Sequence, residues 1–243
     1  VTSFRANNIR LTLLPCPSGM PVAITLQGAR FPVGLLTKHV LWRYARMSVV
    51  AHPTNGADVM SKIGIFFGTE TGTTRLIAKK LHKLLGDDIA DKPVNVNRIT
   101  PDDMLQYDAL ILGTPSYGVG EIPGLSAGCL ERNWEEFLAQ LQNPDFSGKR
   151  IAFFGLGAQE RYADRFASSL MALVQVFKGF GADIVGDWST EGYTFEHSAS
   201  VVDGRFVGLI IDHRTQGMYT DKRLKVWAEQ IRPLLTSKRA AAA

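Results

Sequence analysis

The chain reads Phe66-Phe67-Gly68-Thr69-Glu70-Thr71-Gly72-Thr73-Thr74 at the end of an apolar run. Residues 62–67 have the apolar pattern of a buried strand, and the pattern from residue 74 onward is that of a helix. Four threonine hydroxyls and two glycines therefore lie at a strand-to-helix junction. Because a helix N-terminus offers free backbone N–H groups and the positive end of a dipole, this loop is predicted to bind a phosphate.

The same loop lacks the residues of two better-known phosphate loops. It has no Gly-Lys-Ser/Thr sequence, so no lysine reaches a terminal phosphate and no hydroxyl is placed for magnesium. It also lacks the three-glycine spacing of a dinucleotide loop. A hydroxyl-rich loop of this kind suits a single monophosphate held by hydrogen bonds. The alternative is a threonine-rich turn that only caps the helix.

Apolar strand patterns alternate with amphipathic helix patterns after residue 60, which predicts a doubly wound α/β domain with a five-stranded parallel sheet and helices on both faces. The predicted strands cover residues 62–67, 94–98, 109–114, 150–156 and 183–188, and the predicted helices cover 74–85, 101–105, 134–142, 166–180 and 221–235. A hairpin signal at Asp203-Gly204 and a later apolar run at 208–211 indicate an insertion of about twenty residues that splits the last strand.

Two further loops follow predicted strands. One begins at Gly113 and carries Tyr117 between closely spaced glycines, and the other begins at Gly155 and carries Tyr162. Ligands of a doubly wound sheet bind beyond the carboxyl ends of its strands. Glycines allow close approach of the backbone, and an aromatic ring can stack on a flat ligand. Together with the threonine loop, these two loops predict that the ligand is a flat heterocycle with a phosphate tail. Each of the two loops alone could be an ordinary glycine turn.

These motifs resemble those of long-chain flavodoxins over about residues 60–235. The resemblance rests on five stretches, which are Gly68-Thr69-Glu70-Thr71-Gly72-Thr73-Thr74, Thr114-Pro115-Ser116-Tyr117-Gly118-Val119-Gly120-Glu121, Trp134-Glu135-Glu136-Phe137, Gly155-Leu156-Gly157 and Tyr162-Ala163-Asp164. Residues 188–193 and 202–209 are most similar to the insertion of the subgroup that donates electrons to nitrogenase. The family's fold is a flavodoxin-like sheet with strand order 2-1-3-4-5.

The resemblance implies FMN as the cofactor and names the residues that would bind it. Residues 69–74 would hold the phosphate, Tyr117 and Tyr162 would cover the two faces of the ring, and a peptide flip at Gly118-Val119 would accompany reduction. The full set implied is Thr69, Glu70, Thr71, Gly72, Thr73, Thr74, Thr114, Pro115, Ser116, Tyr117, Gly118, Val119, Gly120, Gly155, Leu156, Gly157, Gln159, Tyr162 and Arg165. No catalytic or metal-binding residue is expected.

Two positions depart from the family's pattern. The family often has an acid after Gly-Leu-Gly, where this chain has Ala158, and a glycine before the stacking tyrosine, where this chain has Arg161. A missing carboxylate and an added cation near the ring ease formation of an anionic reduced flavin. The departures therefore predict that the potential of the semiquinone/hydroquinone couple is less negative than in relatives that keep the acid.

The function implied is that of a low-potential electron carrier that cycles between semiquinone and hydroquinone and turns over no substrate of its own. Its partners would be a reductase upstream and nitrogenase reductase downstream, and it would act as a monomer in the cytoplasm. The alternatives are a flavodoxin-like NAD(P)H:quinone reductase, which needs an open pocket over the ring, and an FMN-free receiver domain, which needs clustered acids after the first strand. Only Glu70 stands there.

Composition agrees with these expectations. The net charge of +4 is uneven, since residues 1–59 hold six of the 27 lysines and arginines but only one acid, Asp58. The remaining residues carry 21 basic and 22 acidic side chains and show no basic stripe with exposed aromatics, which argues against nucleic-acid binding. No apolar run is long enough for a membrane span. The five histidines and two cysteines lack metal-ligand spacing, and two cysteines without a disulfide framework favour a reducing compartment.

Residues 1–59 form a separate region in the sequence. They carry five prolines, show neither helical nor strand periodicity of any length, and end in the turn-prone His52-Pro53-Thr54-Asn55-Gly56. They are interpreted as a disordered or non-native extension that arose from a misassigned start at Met60 or serves as a targeting segment. A transit peptide would make the protein organellar. The FMN-binding domain is predicted over residues 60–236, with a flexible tail at 237–243.

Overall fold

The computed structural model describes residues 62–115, 117 and 120–237, together with the backbone of three short strands before residue 28. The chain forms two compact units, Val1–Ala57 and Asp58–Ala243. Three residues of the predicted cofactor site, Ser116, Gly118 and Val119, lie outside the described part, as do residues 238–243 of the predicted tail.

The first unit contains a three-stranded antiparallel sheet. Its strands are Ser3–Ala6, Ile9–Leu13 and Ile24–Gln27, which are adjacent in that order. The sequence predicts no strand in residues 1–59, and the three strands show that this prediction is wrong. The second and third strands alternate apolar and polar residues, which is the period of a strand, but over only four or five positions.

The second unit alternates strands and helices along the chain. Its elements are β1 (Gly64–Phe67), α1 (Thr73–Leu85), β2 (Val94–Asn95), α2 (Pro101–Leu105), β3 (Ala109–Thr114), α3 (Trp134–Leu138), β4 (Arg150–Leu156), α4 (Ser169–Gly179), β5 (Asp183–Val185), β6 (Trp188–Ser189), β7 (Val201–Val202), β8 (Arg205–Phe206), β9 (Leu209–Ile211) and α5 (Thr220–Thr236), with short 3-10 helices at Val96–Arg98, Ala163–Arg165 and Gly217–Tyr219.

The central sheet is parallel and has the predicted order. Strands β2, β1, β3 and β4 are adjacent in that sequence, and the fifth place is shared by β5 and β9, which pair with the first and second halves of β4. The last strand is thus split by an insertion, as predicted. The register places Ile211 opposite Leu156, so the segment after β9 lies beside the loop after β4.

Helices cover the sheet on both faces. The buried side chains of β1 and β3 alternate between two hydrophobic clusters, which explains why these strands are apolar at consecutive positions. One cluster contains α1 and α5 residues and the other contains α3 and α4 residues, including Ile77, Leu81, Trp227 and Ile231 on the first side and Trp134, Phe137, Leu173 and Phe177 on the second.

The insertion folds into a small antiparallel sheet of its own, with β8 between β7 and β6. Asp203 and Gly204 form the predicted hairpin turn, and both have positive φ, at 51° and 77°. The Tyr193 hydroxyl accepts a hydrogen bond from Trp188 Nε1 at 3.1 Å and donates one to the Ile210 carbonyl at 2.5 Å. The insertion is therefore fastened to the main sheet.

Several predicted element ends differ from the structure, and for three of them the structure shows a cause. Strand β2 ends at Asn95, because the Asn95 side chain accepts a hydrogen bond from the Asn97 N–H and the backbone turns there. Helix α4 begins at Ser169 rather than near 166, because Ala167 has a left-handed φ of 51°. Helix α3 ends at Leu138, after which Gln140 and Leu141 bond to carbonyls three residues back.

Among the residues described, no helix is long and apolar enough to cross a membrane.

Candidate cofactor site

The threonine loop joins β1 to α1, as the sequence predicts. Gly72 has a φ of 89°, which a residue with a side chain adopts only with strain, and its N–H donates to Thr69 Oγ1 at 3.0 Å. Helix α1 begins at the next residue and receives no hydrogen bond from a capping side chain. Its first backbone N–H groups therefore remain available to an anion.

Two polar atoms in this loop test whether a phosphate fits. Thr74 is fully buried, yet its hydroxyl has no hydrogen-bond partner in the described protein. Glu70 accepts a hydrogen bond from the Leu130 N–H at 2.9 Å with one oxygen, while its other oxygen is buried without a partner. A buried hydroxyl at a helix N-terminus needs an acceptor or donor, and a phosphate oxygen would meet that need at Thr74.

Residues from β3 and α3 support the loop from below. The Gly113 carbonyl accepts from the Gly68 N–H at 3.0 Å and from Trp134 Nε1 at 2.8 Å. Asn133 Nδ2 donates to the Thr69 carbonyl at 3.3 Å. A Cβ atom at Gly68 would lie 1.9 Å from Asn133 Oδ1, so only glycine allows this close approach.

Tyr117 is held by hydrogen bonds at its backbone and at its side-chain hydroxyl. Its hydroxyl donates to the Gly128 carbonyl at 2.6 Å, and its backbone exchanges two hydrogen bonds with the Ser169 hydroxyl, which accepts from its N–H at 3.4 Å and donates to its carbonyl at 3.2 Å. In the same loop Thr114 is buried and Gly120 has a φ of 101°. Partial desolvation, with Cys129 and Glu70 nearby, raises the pKa of the Tyr117 phenol.

Tyr162 lies in the third loop close to two cations. The guanidinium carbons of Arg161 and Arg165 are each 5.3 Å from its ring centroid, within the range of cation–π attraction. Arg165 also pairs with Asp164 at 2.6 Å, whereas Arg161 is exposed. In the same loop a Cβ at Gly157 would lie 2.3 Å from the Phe166 ring, so the backbone here also requires glycine.

The three loops border one cleft of about 490 Å³, a size suited to a small cofactor. Its lining includes eight of the predicted residues, which are Glu70, Thr71, Thr73, Pro115, Tyr117, Leu156, Gly157 and Tyr162. Ala158, one of the two departures from the family's pattern, lines it as well. The sheet topology thus brings together loops that are separated by more than forty residues in the chain.

Other predicted residues build the loops without lining the cleft. These are Thr69, Gly72, Thr74, Thr114, Gly120, Gly155, Gln159 and Arg165. Gln159 is buried, and its Oε1 accepts a hydrogen bond from the Thr194 N–H of the insertion at 2.9 Å. The side chain of Gln159 therefore contacts the insertion.

Three lining residues were missed by the sequence analysis: Ile211, His213 and Arg214, which end and follow β9. The signal was present, because ligands bind beyond the carboxyl ends of parallel strands and β9 is such a strand. The sequence predicts the split strand, but the predicted site included only the loops after the first, third and fourth strands. The three residues reach the cleft because β9 pairs with the second half of β4.

Comparisons with known proteins agree with this geometry. The family model named Flavodoxin matches residues 65–227. A flavodoxin of Klebsiella pneumoniae is 47% identical over 173 residues, which cover 71% of this chain and 98% of the relative. Flavodoxin 1 of Azotobacter vinelandii is 42% identical over 171 residues, with 69% and 94% covered.

A solved structure gives the same result. The Fusobacterium nucleatum flavodoxin bound to flavin mononucleotide superposes with a TM-score of 0.64 at 32% identity, over 72% of this chain and 99% of that one. The fold, the site and the sequence relatives lead to one conclusion: the chain belongs to the flavodoxin family of electron-transfer flavoproteins.

Proposed function

We propose that this protein binds FMN and carries one electron at a time between partner proteins. In doing so the flavin would alternate between its one-electron-reduced and fully reduced states. The observation that carries the proposal is the single cleft lined by the threonine loop, Tyr117 and Tyr162. When bound, FMN supplies the redox chemistry, and the protein orients it and limits its contact with water. Because electrons pass directly between the flavin and a partner protein, this reaction needs no pocket for a substrate.

The chain's own residues divide the binding between them. The backbone at the start of α1 and the hydroxyls of Thr69, Thr71, Thr73 and Thr74 would hold the phosphate, with the buried Thr74 hydroxyl gaining its missing partner. Tyr117 and Tyr162 would enclose the ring. The remaining proposed contacts, some through the backbone, are Glu70, Gly72, Thr114, Pro115, Ser116, Gly118, Val119, Gly120, Gly155, Leu156, Gly157, Gln159 and Arg165.

A visible spectrum tests the proposal directly. Purified protein reconstituted with FMN is expected to turn yellow and, during stepwise reduction, to show the blue colour of a neutral one-electron-reduced flavin. Mixing with NAD(P)H and a quinone is expected to produce no turnover, because two tyrosines would occupy the faces that a hydride donor needs. Failure to bind FMN would overturn the proposal, and steady NAD(P)H oxidation would favour the quinone reductase.

The downstream partner proposed is nitrogenase reductase. The support is the resemblance of residues 188–193 and 202–209 to the insertion of nitrogenase-donating flavodoxins. The reduced protein is expected to sustain nitrogenase turnover as the only electron donor. Absence of turnover, with a second low-potential donor active in the same assay, would remove this partner.

The proposal also includes the organisation of the molecule. We propose that FMN binding resides in residues 60–236, that residues 1–59 take no part in it, and that the protein is a cytoplasmic monomer. A chain that begins at residue 60 is expected to bind FMN with unchanged affinity and to sediment as a monomer. Loss of FMN affinity in the shortened chain would assign a role to the first 59 residues.

A further inference from the structure

Asp212 is a fully buried carboxylate directly after β9. Its Oδ2 accepts hydrogen bonds from the Gln159 N–H at 2.9 Å and the Thr215 hydroxyl at 2.7 Å. Its Oδ1 accepts from the N–H groups of Arg214 at 3.2 Å and Thr215 at 2.9 Å. Burial of a charge is costly unless donors replace the lost water, and these four donors do so.

The partners of Asp212 belong to two different segments of the site. Gln159 follows Gly157 and Ala158, which line the cleft, while Arg214 lines the cleft from the segment after β9. The Gly157 N–H also donates to the Ile211 carbonyl at 3.1 Å. One side chain therefore holds the third loop and the 212–215 turn at a fixed distance from each other.

Arg214 brings a positive charge to this cleft. Besides the main cleft it borders an adjoining hollow with Ala158, Glu160, Arg161 and Thr215. Within residues 62–237, as far as they are described, its guanidinium forms no ion pair. Because no described carboxylate lies within 4.0 Å of this guanidinium, its charge is available to whatever occupies the cleft.

We propose that residues 212–215 form a fourth loop of the cofactor site, in which Asp212 is a positioning residue and Arg214 supplies positive charge to the bound flavin. This inference rests on the proposed FMN function. Asp212 acts through the backbone of Gln159 and through the turn that carries Arg214. Arg214 stabilises the reduced flavin, which bears more negative charge than the oxidised form.

Asp212→Asn tests the positioning role. The substitution leaves one acceptor oxygen, and the amide nitrogen that replaces the other cannot accept. Either the Gln159 N–H or the N–H groups of the 212–215 turn therefore lose their partner, and the two segments lose their fixed spacing. Titration of the apoprotein with FMN, followed by the quenching of flavin fluorescence, is expected to show a Kd raised at least about tenfold. The visible circular dichroism of the bound flavin is expected to change as well.

A matched control separates this effect from loss of a turn-capping carboxylate in general. Asp145 also accepts a backbone hydrogen bond, from the Ser147 N–H at 2.8 Å, but it is exposed and does not line the cleft. Asp145→Asn is expected to leave the Kd within about twofold of the wild type. Such a change corresponds to much less free energy than the roughly 1.4 kcal/mol of a tenfold change. An Asp212→Asn protein that binds FMN as tightly as this control would overturn the positioning role.

Hydrogen exchange of the wild-type holoprotein tests the same role without any substitution. The Gln159 amide is expected to exchange slowly, because it is buried and bonded to Asp212. Rapid exchange at this amide would overturn the role, even if Asp212→Asn failed to fold.

Arg214→Gln tests the charge. Arg214 is exposed, so its replacement is expected to preserve the fold, and a redox titration is expected to show a more negative potential for the last electron. Lys178→Gln, which removes an exposed cation at the C-terminal end of α4, is the control and is expected to leave this potential unchanged. An unmoved potential in Arg214→Gln would overturn the charge role. A wild-type protein that binds no FMN would instead overturn the proposed function itself.

Discussion

At the scale of single residues, the site depends on positions where any larger side chain would collide with a neighbour. Gly68 is the tightest, because the space for its Cβ is taken by Asn133 and Trp134. The residues of the threonine loop were recognisable from their types, since hydroxyls and glycines before a helix suit a bound phosphate. The collision at Gly68 was not recognisable, because Asn133 is 65 positions further along the chain.

Gly68→Ala is expected to destabilise the apoprotein by about 1–3 kcal/mol, the usual cost of forcing an extra methyl group into a packed interior. Urea unfolding measures this change. Gly179→Ala is the matched control, because a Cβ there meets no atom within 4 Å, and it is expected to be neutral or stabilising. Equal midpoints for the two variants would contradict the packing argument.

Ala158→Asp is expected to make the potential of the last electron more negative, because the new carboxylate would repel the anionic reduced flavin. A unit charge about 6 Å away contributes up to roughly 3 kcal/mol at an effective dielectric near 20. Solvent at this half-exposed position reduces the effect. A redox titration measures it, with Ala139→Asp, an exposed position outside the cleft, as the control. An unmoved potential in Ala158→Asp would show that this position does not tune the flavin.

At the scale of elements, helix ends explain which boundaries the sequence predicted well. Helix α2 begins where predicted, because Thr100 and Asp103 form a capping box in which the Thr100 N–H donates to Asp103 Oδ2 at 2.7 Å. Helix α4 begins later than predicted, because Ala167 has a left-handed conformation. The Ala167 carbonyl accepts a hydrogen bond from the Ser200 hydroxyl of the insertion at 2.8 Å. Local caps are legible in a sequence, whereas contacts with a distant segment are not.

Asp103→Asn is expected to lower stability at neutral pH by about 0.5–1 kcal/mol, as loss of a charged cap does. Hydrogen bonds from Thr100 lower the pKa of the Asp103 carboxyl. A lowered pKa means that the stabilisation is present above the ordinary pKa of aspartate and is lost as the pH falls through the lowered value. Thermal unfolding at several pH values is expected to show the two proteins converging in acid, and a constant difference would contradict the assignment.

At the scale of the whole molecule, the described unit is an open sheet covered on both sides, with the cofactor cleft at the carboxyl ends of its strands. From residue 60 onward the chain carries 21 basic and 22 acidic side chains, so it has almost no net charge. A nearly neutral carrier attracts its partners only weakly over long distances.

The rate of electron transfer to the partner is therefore expected to depend little on salt. Stopped-flow measurements between low and physiological ionic strength are expected to show a change well below tenfold, because a carrier with almost no net charge has little long-range attraction for salt to screen. A tenfold decrease would show that a local charge pattern, rather than the net charge, steers the encounter.

The sequence by itself determined the alternation of strands and helices and marked three loops that border the cleft, because glycines and hydroxyl or aromatic side chains follow three of the strand patterns. The resemblance of these loops to those of flavodoxins then implied the family and the strand order. Only the tertiary structure decided that the segment from Asp212 to Thr215 joins them. That segment follows Ala158 by more than fifty positions, and its place after an apolar strand made it a candidate without showing that it reaches the cleft. It reaches the cleft because the split last strand pairs Ile211 with Leu156, and a sheet register is set by packing across the whole domain.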